Sequence, residues 1–290
     1  MSLSVQLGLL LALATAFASV VGFLYKHRGA VESPPVELRR PVRTSLALFR
    51  SRWYTLGILI AFAGWGLHVG ALALAPISLV QSVIAGGLVL LTVTADRLFA
   101  HSVTRREWIG VALAATGLAF LAATLEGAGD SAHSEYDPGT LAFYIAVCVA
   151  LGLAAALAGR GTPRAGVLFA ASAGLLWAAS DTSIKALSGN LGDGTAAVLL
   201  HPLALVIALA SLAGLVVSAR SLQVGKAVPV IAVTSVAANT FTIAAGPAVF
   251  GEPMPSDPAG LVARLLAFAL VIGAAALTPA PVRAAHLEPA

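Results

Sequence analysis

The chain has 290 residues, 59% of them hydrophobic and 10% charged, with a mean hydropathy of +0.93 and a formal net charge of +4. A soluble domain carries about 25% charged residues, and runs of about 18 or more apolar residues recur here, so a water-soluble fold is excluded and a polytopic all-α membrane protein is expected. The basic surplus sits beside apolar runs, where it orients a membrane chain rather than recruiting nucleic acid, and the single cysteine, Cys148, rules out an intramolecular disulfide.

Taken in order, the first span covers residues 5–25. No basic residue precedes it and no small-residue cleavage site stands out, so it reads as a retained span rather than a signal peptide. The loop 26–52 carries Lys26, Arg28, Arg39, Arg40, Arg43, Arg50 and Arg52 against Glu32 and Glu37, which assigns it to the cytoplasm. Span 2 (53–74) ends at Ala75-Pro76, and span 3 (77–98) follows at once. An elbow at 97–107, with Arg97, Arg105 and Arg106, leads into span 4 (108–125). The next segment has Glu126, Asp130, Glu135 and Asp137 but no Lys or Arg, so it is extracytoplasmic, and its Gly, Ser and Pro mark a linker between two halves.

Span 5 (140–158) is closed by Arg160 and Arg164. Span 6 (165–187), a turn at 189–194 and span 7 (197–217) follow, then Arg220 and Lys226. Span 8 (228–250) leads to Glu252 and Asp257, and span 9 (261–277) to Arg283. With nine spans, every Lys and Arg except Lys185 and Arg264 falls in an inner segment, so the N-terminus is expected outside and the C-terminus inside. The organisation is a first transmembrane half (1–127), a linker (128–138), a second half (139–280) and a cytoplasmic tail (281–290), in a plasma membrane of bacterial type.

One pattern occurs twice. Ala75-Pro76, an apolar span, a charged elbow and a Gly-containing span correspond to Ala227-Val228-Pro229, a span to Phe250, the elbow 251–257 and the span 261–277. The two elbows lie on opposite faces, which makes this an inverted-topology repeat, a common basis of secondary transporters. Glycines at 57, 64, 66 and 70, with a Gly66-x-x-x-Gly70 spacing, and at 110 and 117, suit close helix packing.

Ionisable and polar residues inside spans are the candidate site residues. Asp181 and Lys185 share a face of span 6 and can pair, or Lys185 can snorkel to the outer interface. Trp65 and His68 lie in span 2, Gln81 and Ser82 open span 3, Trp177 precedes Asp181, and Asn239 sits on a polar face of span 8. Arg264 reads as an outward snorkel. A phosphate-binding loop, a hydrolase motif and a clustered His/Cys/Asp/Glu set are all missing from the sequence, so no enzyme, cofactor or resident metal is expected.

Trp53 and Gly57 after a long basic loop, Ala75-Pro76 followed by Leu79-Val80, span 6 ending in Lys185, and His201-Pro202 followed by Ala219-Arg220-Ser221-Leu222 and Val228-Pro229 together resemble the drug/metabolite transporter superfamily. Within it, the chain resembles the EamA-like and NIPA-type magnesium transporter branch. The resemblance covers residues 7–277 and implies a secondary transporter of a small solute working by alternating access, and a buried Asp181 is the residue that could carry a coupling proton. The alternative is a carrier of Mg2+ or another divalent cation. Members of the magnesium branch have an acidic residue and an asparagine in span 2 where this chain has Trp65 and His68, and a proline where Gln81-Ser82 follows Leu79-Val80. Losing that carboxylate removes an oxygen ligand of the kind Mg2+ prefers. The expected partners are the bilayer and a small-molecule or ion substrate, with oligomeric state left open and a homodimer among the options.

The orientation has a direct test. In a Cys148→Ser background, single cysteines at Glu135 are expected to react with a membrane-impermeant thiol reagent in intact cells, and those at Arg50 to be shielded. Labelling on the reverse sides contradicts the nine-span topology.

Overall fold

The computed structural model describes residues 1–31, 49–98, 105–124, 130–190, 192, 194–225 and 227–277. Most of the basic loop 26–52, the centre of the elbow 97–107, the start of the linker and the tail 281–290 lie outside the described residues. The described residues form ten helices and no strand: α1 (Leu3–Val31), α2 (Arg52–Leu74), α3 (Ile77–Leu98), α4 (Arg105–Ala123), α5 (Pro138–Gly159), α6 (Ala165–Ser188), α7 (Thr195–Leu200), α8 (Pro202–Val224), α9 (Ala227–Val249) and α10 (Pro258–Leu277). All but the six-residue α7 coincide with expected spans. Two bounds differ. The first helix runs on to Val31. The seventh span begins at Pro202 rather than 197, because a proline suits the first helical position but pushes its predecessor out of helix, and His201 is extended there.

Helix starts follow short-range chemistry. Ser51 accepts from the Tyr54 amide at the head of α2, and Asp137 accepts from the Thr140 amide and hydroxyl ahead of Pro138. Those bonds hold the exposed Asp137 carboxyl below the usual carboxylate range, the Thr140 amide being the largest cause. Asp257 caps α10 through the Gly260 amide at 2.6 Å, again with a proline next in line. Between α2 and α3 only Ala75 and Pro76 intervene. Ala75 precedes a proline, so it is extended (φ −140°, ψ 158°), and one helix stops and the next starts within two residues.

The chain is an integral membrane helical protein. Three of its described helices, α2, α5 and α6, are long and apolar enough to cross a bilayer by length and composition, and the described apolar stretches of the other long helices run 10–17 residues. Large apolar side chains face outward, among them Leu59 and Phe62 on α2, Phe143 and Leu153 on α5, and Leu205 and Leu212 on α8. A belt of that kind suits lipid rather than water.

The helix α6 is the hub. It packs against α5, α8 and α9, and across to α2. Small residues allow this. A Cβ on Gly174 would stand 2.5 Å from the Thr234 carbonyl oxygen of α9, so the two backbones touch at that crossing. On the other side, α1 packs on α2 and α3. The two helix–elbow–helix units of the sequence pattern, α3–α4 and α9–α10, pack on one another, with α4 along α10 and α3 along α9. The Gly66-Gly70 spacing is not a packing seam: a Cβ on Gly66 would meet nothing within 4 Å.

Candidate functional site

The polar side chains of the bundle converge on the interface of α2 and α3 with α6 and α9. Toward the end of α2, His68 Nε2 lies 3.3 Å from Asp181 Oδ1 on α6. Both side chains are mostly buried, at 11% and 21% exposure. Among the described residues His68 Nδ1 is buried without a partner, so one nitrogen of this imidazole is committed to the carboxylate and the other is not committed there.

One helix turn further along both helices, Lys185 meets the end of α2. Its Nζ donates to the carbonyls of Leu72 (2.6 Å), Ala75 (2.9 Å) and Ala132 of the linker (2.5 Å). His68–Asp181 and Leu72–Lys185 share the same offset of 113 residues, so α2 and α6 run parallel and in register over this turn. All three ammonium donors are used, and the side chain is fully buried. Two expectations change here. Asp181 is partnered by His68 rather than by Lys185, and Lys185 does not snorkel: it closes the carbonyl end of α2, where a cation is favoured by the helix dipole.

Across the two-residue break, the amide end of α3 is met by an anion. The Ser78 amide donates to both oxygens of Glu252, at 3.3 Å each, and the Ser78 hydroxyl donates to Oε2. Glu252 is buried. Sequence reading places it in an outer loop as a topology marker and misses it as a site residue. The signal that points to it is the bare helix start behind Pro76, which needs an acceptor. Arg264 is also buried rather than snorkelling outward: its Nε donates to Thr124 Oγ1 at 2.8 Å.

Deeper along α3, the Gln81 amide nitrogen donates to Asn239 Oδ1 of α9 at 2.8 Å, and Asn239 Nδ2 donates to Ser235 Oγ at 3.1 Å. Among the described residues Gln81 Oε1 and Thr242 Oγ1 are buried without partners. Unpaired polar atoms in an apolar bundle are costly, and they mark the stretch where a hydrated or polar cargo is best received.

Of the seven expected site residues, the structure brings His68, Gln81, Asp181, Lys185 and Asn239 to this interface. It does not bring the other two. Trp65 is 51% exposed on the outside of α2, and Trp177 stacks its indole edge over Gly214 of α8. A cavity of about 750 Å³ lies elsewhere, between α5 and α8 on the flank of α6. Its walls, including Leu141, Ile145, Leu203 and Val206, are apolar, and it takes in none of the seven.

Comparison with known proteins gives a similarity to "Probable magnesium transporter NIPA9" of Arabidopsis thaliana, 26% identical over 274 residues, which are 90% of this chain and 78% of that protein. No protein-family model and no solved structure matches the chain.

The Gln81–Asn239 contact yields a stability test. Asn239→Leu leaves the Gln81 amide unpaired and is expected to cost about 1–2 kcal/mol. Adding Gln81→Leu should recover part of the loss, read as thermal unfolding in detergent. Additive losses would show that the two side chains do not act as a pair.

Proposed function

We propose that the chain is a secondary transporter that carries a small solute across the membrane by alternating access along the α2/α3–α6/α9 interface, with nine spans in two inverted halves, the N-terminus outside and the C-terminus inside. The observation that carries this reading is the His68–Asp181 contact, an imidazole and a carboxylate held together between two membrane helices. An imidazole can take up or give up a proton beside a carboxylate. A proton on His68 turns a pair of charge −1 into a neutral one, and losing it restores the bare carboxylate. Such a pair couples proton occupancy to whatever else competes for Asp181. Alternating access supplies the rest: the two sides of the interface take turns in facing water.

A second reading, a carrier of Mg2+ or another divalent cation, is favoured by the name of the plant relative. Among the described residues no three His, Cys, Asp or Glu side chains gather into a metal-binding group. Mg2+ nevertheless keeps several of its waters and commonly binds through one or two carboxylates. Asp181 offers one, and Gln81, Asn239 and Thr242 offer neutral oxygens on neighbouring helices. In this reading the cation and the His68 proton compete for the same carboxylate, which makes the carrier an exchanger.

The purified chain in proteoliposomes tests both. Uptake of Mg2+, read by a dye sealed inside, and of labelled small organic solutes is measured with and without an imposed pH gradient. Uptake of at least one probe should follow the gradient. Asp181→Asn should abolish that dependence while exchange of the same probe continues. Gradient-driven uptake that survives in Asp181→Asn contradicts the role given to the pair.

A further inference from the structure

The junction of α2 and α3 is capped from afar. Helix ends are ordinarily capped by neighbours in sequence. Here the carbonyl end of α2 is closed by Lys185, 110 and 113 residues away, and the amide end of α3 by Glu252, 174 residues away. Both caps are ionisable side chains, both are buried, and both lie more than 100 residues further along the chain. Lys185 also holds Ala132, so the linker is drawn over the same junction.

The seat of Glu252 is built for it. Gly246, near the end of α9, lies directly beneath the carboxylate, and a Cβ there would collide with Glu252 Oε2 and the carboxyl carbon. The Gly246 carbonyl also accepts from the Glu252 amide at 3.1 Å. A side chain held over a position that only glycine leaves open, and tied by its own backbone to that position, has a specified place.

We infer that Lys185 and Glu252 form the gate that holds this end of the helix interface shut on the α2–α3 junction. The inference rests on the transport reading above, and it names the residues that the opening must release. A gate of charges has a physical advantage over an apolar plug. When it opens, an ammonium, a carboxylate and the bare helix ends all meet water and are solvated, so the closed and open states stay close in free energy. An apolar plug of the same size would expose surface with nothing to offset it. The gate is also linked to the proton-binding pair. Lys185 lies one turn from Asp181 on α6, and its acceptor Leu72 lies one turn from His68 on α2, so a shift between the two helices moves both contacts together.

Accessibility reads the gate without any transport. Val80 is fully buried in the first turns of α3, and Ala114 is fully buried between α4 and α10. In a Cys148→Ser background in nanodiscs, cysteines at these two positions are treated with a hydrophilic maleimide. Lys185→Gln, Glu252→Gln and Gly246→Ala should each speed labelling at position 80 by about tenfold or more and leave position 114 unchanged, as expected for a local opening. Gly246→Ala keeps both charges and displaces only the carboxylate, so it carries the test if a charge-removing variant fails to fold. Unchanged labelling at position 80, or equal gains at both positions, overturns the gate. Faster labelling at position 80 in a chain that transports no probe keeps the gate and removes the transport reading. Gradient-driven uptake with no change in labelling does the reverse.

Discussion

Everything in this bundle depends on how the bare ends of two helices are satisfied where only Ala75 and Pro76 separate them. Inside a membrane-embedded protein, unpaired carbonyls and amides have no water to turn to. The pre-proline geometry at Ala75 forces the break, and the break creates a negative helix end and a positive one side by side. Lys185 answers the first and Glu252 the second. Because both lie more than 100 residues further along the chain, satisfying this local need also fastens together segments distant in sequence.

The same logic explains why α6 sits at the centre. Its small residues let α9 approach to backbone contact at Gly174, which places the helix among four neighbours. A helix so enclosed can hold Asp181 and Lys185 away from lipid, and α2 supplies partners for both at a constant offset. Packing by small residues, burial of charge and a titratable contact are thus successive consequences of one sequence feature. Gln81 and Asn239 extend the polar interface to α3 and α9.

Much of this was legible in the sequence. Long apolar runs marked the helices, and Ala75-Pro76 marked the break. Rarity of charge within spans singled out Asp181 and Lys185, and polarity singled out His68, Gln81 and Asn239. What could not be read was partnership. The i, i+4 spacing makes Asp181 and Lys185 neighbours on one helix, but each finds a better partner on α2, and only tertiary packing decides that. Glu252 and Arg264 looked like loop and interface charges because local sequence does not reveal that a loop folds back into the bundle. Trp65 was misplaced for the opposite reason: an aromatic beside a histidine suggests a cavity, whereas its own position on α2 turns it outward. The Gly66-Gly70 spacing likewise carries no information about which face of α2 is covered.

The central claim is that the two sides of the interface open in turn. Paired spin labels measure it directly. Ser4 and Asn190 lie toward the α2–α3 junction, where the Met1 amino group is 4.0 Å from Asp130 and Gly189 lies by Ser134. Ser51 and Arg164 lie toward the opposite end, where Tyr25 stacks on Trp53 and Gly166 on Gly225. In nanodiscs, an imposed change of pH should lengthen one label pair and shorten the other. Distances that stay fixed at both ends, or that lengthen together, would contradict alternating access along this interface.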